Sequence, residues 1–155
     1  KKIITLPTND SKIYKQILAF LNFMLELTPQ EREILAELVK LNHEYEALPE
    51  KKRAKFILST DMRKEIRELL QIEEKQFNVV VSRLKKKSFL GKAILSDENI
   101  IHPELLFKPD KEGYRIEINL INKLNDTRKK VTNSKPKAEK EEPVIEENIK
   151  VEVIE

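Results

Sequence analysis

The chain predicts a mainly α fold with a small β portion (α+β), helices first and strands after. Three observations carry this. Between residues 12 and 87 apolar residues recur at helical spacing, whereas from about 92 to 120 the period shortens to that of strands. Glycine occurs only twice in 155 residues, at Gly91 and Gly113, so few glycine turns are available to interrupt helices. Charged residues make up 37% of the chain, a supply that suits amphipathic helices with solvated outer faces.

Residues 1–10 read as extended or loose, with Pro7 and a turn-like Thr8-Asn9-Asp10. Ser11 is the expected cap of a helix from Lys12 to Leu27, whose broad apolar face (Ile13, Ile17, Leu18, Phe20, Leu21, Met24, Leu25) asks to be covered. Thr28-Pro29-Gln30-Glu31 is a capping signature, with threonine at N-cap, proline at N1 and glutamate at N3. It opens a second helix to about Ala47, with Ile34, Leu35, Leu38, Val39 and Leu41 inward and Pro49 as its stop. Residues 50–58 form a short basic helix or turn. Ser59 or Thr60 then caps a helix from Asp61 to Leu70, Gln71-Ile72-Glu73 turns the chain, and a further helix runs from Glu74 to Lys87.

Residues 92–95, 99–101 and 114–120 read as strands of one small sheet, with Ser96–Asn99 and Asp110–Gly113 as turns. Beyond Asn125 the chain is polar. Residues 134–143 have the composition of disorder, and 125–155 as a whole read as a charged, disordered tail. The alternating apolar and acidic residues from Val144 to Glu155 leave a strand at a sheet edge as the other reading.

Composition excludes several classes. Without cysteine there are no disulfides, thiol nucleophiles or cysteine zinc sites, which fits an intracellular, cytoplasmic setting. The longest apolar run, residues 17–25, is far short of the ~20 residues a membrane span needs. The leading lysines lack a signal-type apolar core, and the absence of an initiating methionine implies a short preceding piece. His43 and His102 have no third ligand at metal spacing, and no glycine-rich phosphate loop is present. No catalytic residue, metal or cofactor is therefore expected.

Charge is distributed unevenly. Residues 75–92 hold six basic side chains (Lys75, Arg83, Lys85, Lys86, Lys87, Lys92) and no acidic one, while residues 131–155 hold four basic and seven acidic. A positive patch on a near-neutral body points to a defined anionic partner. The helix that bears it is preceded by another amphipathic helix and a three-residue turn. Ile66, Leu69 and Leu70 are expected inward on the first of the pair, Phe77, Val81 and Leu84 on the second, and Ile72 in the angle between them.

The stretch Arg63-Lys64-Glu65-Ile66 to Leu70, then Ile72, Phe77, Leu84-Lys85-Lys86-Lys87 and Phe89-Leu90, resembles the winged helix-turn-helix DNA-binding superfamily over about Thr28–Leu120. Ile100-Ile101-His102-Pro103-Glu104-Leu105-Leu106 is similar to a wing strand of plasmid and phage replication-control proteins. The resemblance implies an N-terminal helical arm (1–27), a winged domain (28–124) and a sequence-specific, double-stranded DNA-binding role in transcription or replication control, in a bacterial cell or phage-infected host. It places the helix of residues 74–87 in the major groove. Lys75, Gln76, Asn78, Val79 and Ser82 would face the bases, with the Gln76 and Asn78 amides as adenine readers and Val79 at a thymine methyl. Arg83, Lys85, Lys86 and Lys92 would meet phosphates. Residues 12–27 would serve homo-oligomerisation, with core packing as the alternative, and the acidic tail a linker or a protein contact. The chain departs from the family at Gln71 and Ser88, where glycine is usual, and at Glu73-Glu74, which put carboxylates at the helix end nearest DNA. A winged-helix structural or assembly protein, in a phage particle or a polymerase-associated complex, is the competing role.

Overall fold

Local side-chain capping explains where several of the helices begin. The computed structural model describes residues 2–121 and 148–154. Helix α1 spans Ile13–Leu25, and its first turn is held by Asn9 rather than Ser11: Asn9 Oδ1 accepts from the N–H of Ser11 at 3.2 Å and of Lys12 at 3.0 Å. An asparagine side chain reaching two or three residues ahead mimics a backbone turn, which a serine hydroxyl does less well. At Thr28 the expected capping box forms. The Thr28 N–H donates to Glu31 Oε2 at 2.9 Å and the Glu31 N–H donates to Thr28 Oγ1 at 3.3 Å.

Helix α2 then runs Pro29–Glu44 and stops short of Ala47, because Tyr45 leaves helical geometry at φ −103° and ψ 27°. Pro49 does not end α2; it precedes α3, Glu50–Ile57. Ser59 Oγ accepts from Met62 N–H at 3.4 Å and opens α4, Thr60–Leu70. Helix α5 spans Glu74–Lys86.

These helices share one core. Ile17, Leu18, Ile34, Leu35, Leu38, Phe77 and Leu84 are fully buried within it. Helix α1 packs along α2 and buries Ile13, Ile17, Leu18, Leu21 and Leu25, so it is part of the core rather than a projecting arm. Leu41 is only half-buried. On α4 one inward expectation fails: Leu69 is 64% exposed, while Met62 and Ile66 are buried. The covered face centres on Ile66 and Leu70, with Arg63 and Arg67 half-buried beside them, and this rotates Leu69 to the solvent.

The β portion is arranged differently from the single small sheet expected. Strands β2, Ser88–Phe89, and β3, Lys92–Ala93, form an antiparallel hairpin through Leu90 and Gly91, both at positive φ. A second hairpin follows, closed by the Leu95–Ile101 bridge and by Ser96 N–H donating to Ile100 O at 2.9 Å. The 3₁₀ turn Pro103–Leu105 comes next. Tyr114–Asn119, β4, does not join these hairpins. It pairs antiparallel with β5, Asn148–Ile154, which in turn pairs parallel with β1, Lys2–Pro7. The order β1-β5-β4 makes the C-terminal segment the middle strand of a sheet, where the sequence favoured a solvated tail. Burial along β4 alternates, with Tyr114, Ile116 and Ile118 turned toward the core. The segment 134–143, read as disordered from composition, lies outside the described residues. Among the described residues, no helix is long and apolar enough to cross a membrane.

Candidate nucleic-acid interface

The α4–turn–α5 unit is built by backbone geometry that its sequence only partly favours. Gln71 takes the left-handed conformation at φ 54°, where glycine would carry no Cβ strain. Its N–H and that of Ile72 close onto the Glu68 and Arg67 carbonyls at 3.4 and 3.0 Å. Ile72, in the turn between the helices, is half-buried and packs against the core.

Helix α5 separates two faces cleanly. Phe77, Val80, Val81 and Leu84 are buried, so the opposite face looks outward. Lys75, Asn78, Val79, Ser82, Arg83 and Lys86 line one shallow depression on that face, together with Glu74. All five residues expected at bases (Lys75, Gln76, Asn78, Val79, Ser82) are exposed. Of those expected at phosphates, Arg83, Lys86 and Lys92 are exposed and Lys85 is half-buried.

The two expected amide readers are engaged within the protein. Gln76 Oε1 accepts from the Glu73 N–H at 3.4 Å, and Asn78 Oδ1 accepts from Arg63 Nη1 at 3.2 Å. They also lie about 160° apart around the helix, so one groove cannot take both side by side. The outermost line is instead Lys75, Val79, Ser82 and Lys86, residues at i, i+4, i+7 and i+11.

The basic run is likewise divided by its contacts. Lys85 Nζ donates to the Asp97 carbonyl at 3.3 Å, tying α5 to the second hairpin. Lys87 Nζ donates to Glu31 Oε2 at 2.7 Å and to the Glu26 carbonyl at 3.0 Å. Glu31 is buried beside it. Burial alone pushes its carboxyl up, but the Lys87 hydrogen bond, the Thr28 N–H and the Lys87 and Arg83 charges hold it below the usual carboxylate range. Lys87 is therefore a fastener of α5 to α2. The carboxylates at the start of α5 are accommodated too: Glu73 is the N-cap residue, and Glu74 pairs with Arg67 Nη1 at 3.6 Å.

Arg63 and the hairpin tip were named from sequence only as part of the resemblance and as a turn, with no site role. Arg63, on α4, also donates from Nε to the Leu58 carbonyl at 2.7 Å and so ties α4 to the end of α3 as well as to α5. Asp97 and Glu98 stand exposed at the tip of the second hairpin. The histidines have packing roles. His43 Nδ1 meets the Tyr14 hydroxyl at 2.6 Å, and buried His102 accepts the Glu104 N–H at 3.1 Å and stands edge-to-face on Phe89. No cluster of three metal-ligating side chains occurs among the described residues. Compared with protein-family models, curated proteins and solved structures, the chain matches none.

Proposed function

We propose that residues 28–107 act as a winged helix-turn-helix that binds double-stranded DNA, with α5 in the major groove. The observation that carries this reading is the outward face of α5. Its core side is fully buried, and its free side presents cations flanking a small polar and apolar centre. In this reading Lys75, Val79 and Ser82 face base edges, and Arg83, Lys86 and Lys92 meet phosphates. Control of transcription or replication is the role that the resemblance attaches to such a domain.

One observation favours the competing protein-binding role. Asp97 and Glu98 put two carboxylates at a hairpin tip that would follow the phosphate backbone, and like charges there oppose DNA. A salt titration of binding to random duplex DNA separates the two. Four exposed cations (Lys75, Arg83, Lys86, Lys92), each neutralising a phosphate at about −0.9 per contact, give a log–log slope of about −3.6. Lys86→Ala should flatten that slope by about 0.9. Absence of binding at low salt, or a slope unmoved by Lys86→Ala, would refute the DNA reading.

A further inference from the structure

The corner between α2 and α3 carries an exposed apolar patch that the DNA reading does not use. Tyr45, Leu48 and Phe56 are each more than a third exposed, at 36%, 36% and 37%. Two of them touch through their side chains, and the third lies on the same turn. The rings of Tyr45 and Phe56 meet edge-to-face with centroids 4.7 Å apart, and the Leu48 N–H donates to the Tyr45 carbonyl at 3.0 Å. Scattered exposed apolar residues need no explanation, but a joined patch with a polar rim marks a contact surface.

The rim is cationic. Helix α3 carries Lys51, Lys52, Arg53 and Lys55 against Glu50 alone. Lys52, Lys55 and Phe56 share one face by their i, i+3, i+4 spacing. Among the described residues, Lys51, Lys52 and Lys55 form no ion pair. The two carboxylates flanking Tyr45 are paired elsewhere, Glu46 with Lys108 at 2.7 Å and Glu44 with Lys40 at 4.0 Å. Two exposed lysines without an ion pair, Lys52 and Lys55, beside an apolar centre suit a ligand with apolar anchors and negative charge together.

We propose that this corner docks an acidic amphipathic peptide segment of a partner protein, its apolar side on Tyr45, Leu48 and Phe56 and its carboxylates over Lys52 and Lys55. Charge complementarity selects the acidic partner, and the apolar centre selects a peptide over a nucleic acid. Single-stranded nucleic acid stacks bases on free ring faces. Here both rings are about two-thirds buried, which leaves little open face for a base, and aliphatic Leu48 has no π-face to stack on. Helix α3 packs on α2 and α4 and uses none of the outward residues of α5, so this surface stands or falls apart from the DNA reading.

The test uses the full chain and three fluorescein-labelled probes. One is an 18-residue amphipathic peptide with leucine and phenylalanine on one face and glutamate on the other. The second is the same peptide with every glutamate changed to lysine, and the third is a (dT)20 oligonucleotide. Anisotropy should show saturable binding of the acidic peptide at least tenfold tighter than of the basic one. Lys52→Glu/Lys55→Glu and Phe56→Ala should each weaken it at least tenfold, with far-UV circular dichroism confirming the fold. The charge-reversal variant sits at exposed positions and decides the matter alone should Phe56→Ala unfold. Equal binding of both peptides, acidic-peptide binding unchanged in the charge-reversal variant, or tighter (dT)20 binding that this variant abolishes would each overturn the proposal.

Discussion

Replacing Lys87 by methionine tests how α5 is held. The substitution keeps an apolar stem of similar length and removes the cation 2.7 Å from Glu31 Oε2. Glu31 is only 1% exposed, so its carboxylate cannot regain water when the partner leaves. Breaking a buried ion pair from one side costs about 3–5 kcal/mol. Two features reduce that here: the Lys87 side chain is 34% exposed, and Glu31 keeps the Thr28 N–H at 2.9 Å. The expected loss at pH 7 is therefore about 2–3 kcal/mol.

The pH dependence gives the test its sign. In the native protein the Glu31 carboxyl is held below its ordinary value of 4.5. Its stabilising contribution is fully present above that value and is lost as pH falls through the lower folded one. In Lys87→Met burial dominates and pushes the carboxyl up, so acidification relieves the variant while it weakens the native protein. The stability gap should narrow between pH 7 and pH 4. Urea unfolding followed by helical circular dichroism, with m about 1–3 kcal/mol/M, reads the loss as a midpoint shift of roughly 1–2 M at pH 7. Glu31→Gln added to Lys87→Met should recover part of the loss, since the amide oxygen still accepts from Thr28 without a buried charge. A pH 7 shift below about 0.3 M, or a gap as wide at pH 4 as at pH 7, would refute the reasoning.

Three further expectations follow from the same geometry. The Tyr14 phenol is pushed up to about 12, by burial first and then by Glu44 and Asp10; stability it lends is present below its ordinary value of 10.0 and declines as pH rises from there toward 12, so Tyr14→Phe should flatten the alkaline unfolding profile, and absorbance at 295 nm should place the native titration above 10. Leu69→Ala should change stability by less than about 0.5 kcal/mol, whereas Ile66→Ala, at a buried site, should cost about 2–4 kcal/mol; equal effects in thermal melts would mean that the face of α4 is wrongly assigned. Gln71→Gly should stabilise by about 0.5–1 kcal/mol by relieving the left-handed strain at φ 54°, and a lower melting temperature would contradict that.

What the sequence made legible is what short-range chemistry encodes. The Thr28–Glu31 box and the Ser59 cap each need residues three apart; the first forms as read, and the second settles on Ser59 of the two residues, Ser59 and Thr60, that the sequence offered. The strand character of Tyr114–Asn119 was also legible, because alternation is local. Its partner was not. β4 pairs with Asn148–Ile154 across a long intervening stretch, and nothing in either segment's own pattern says which edge it will meet. Alternating apolar and acidic residues suit a tail and a strand equally until a neighbouring sheet edge decides between them.

The same distinction governs the candidate site. Helical spacing located the outward face of α5, since the buried set Phe77, Val81 and Leu84 has a single opposite side. It could not say which cations on the helix are free to bind, because their partners lie far off in sequence: Lys87 meets Glu31 56 residues away, and Lys85 meets Asp97 from another element. Of six basic residues between 75 and 92, four therefore remain exposed, with no side-chain hydrogen bond or ion pair among the described residues. Glu74, which looked like an obstacle to DNA, is offset by Arg67 from the neighbouring helix. A charge run read from sequence thus overstated the available cations, and it left out the exposed carboxylates that the hairpin tip adds at Asp97 and Glu98. The quantity that matters for an anionic partner is what remains after the fold has used its share, and on α5 that remainder is Lys75, Arg83 and Lys86, around Val79 and Ser82.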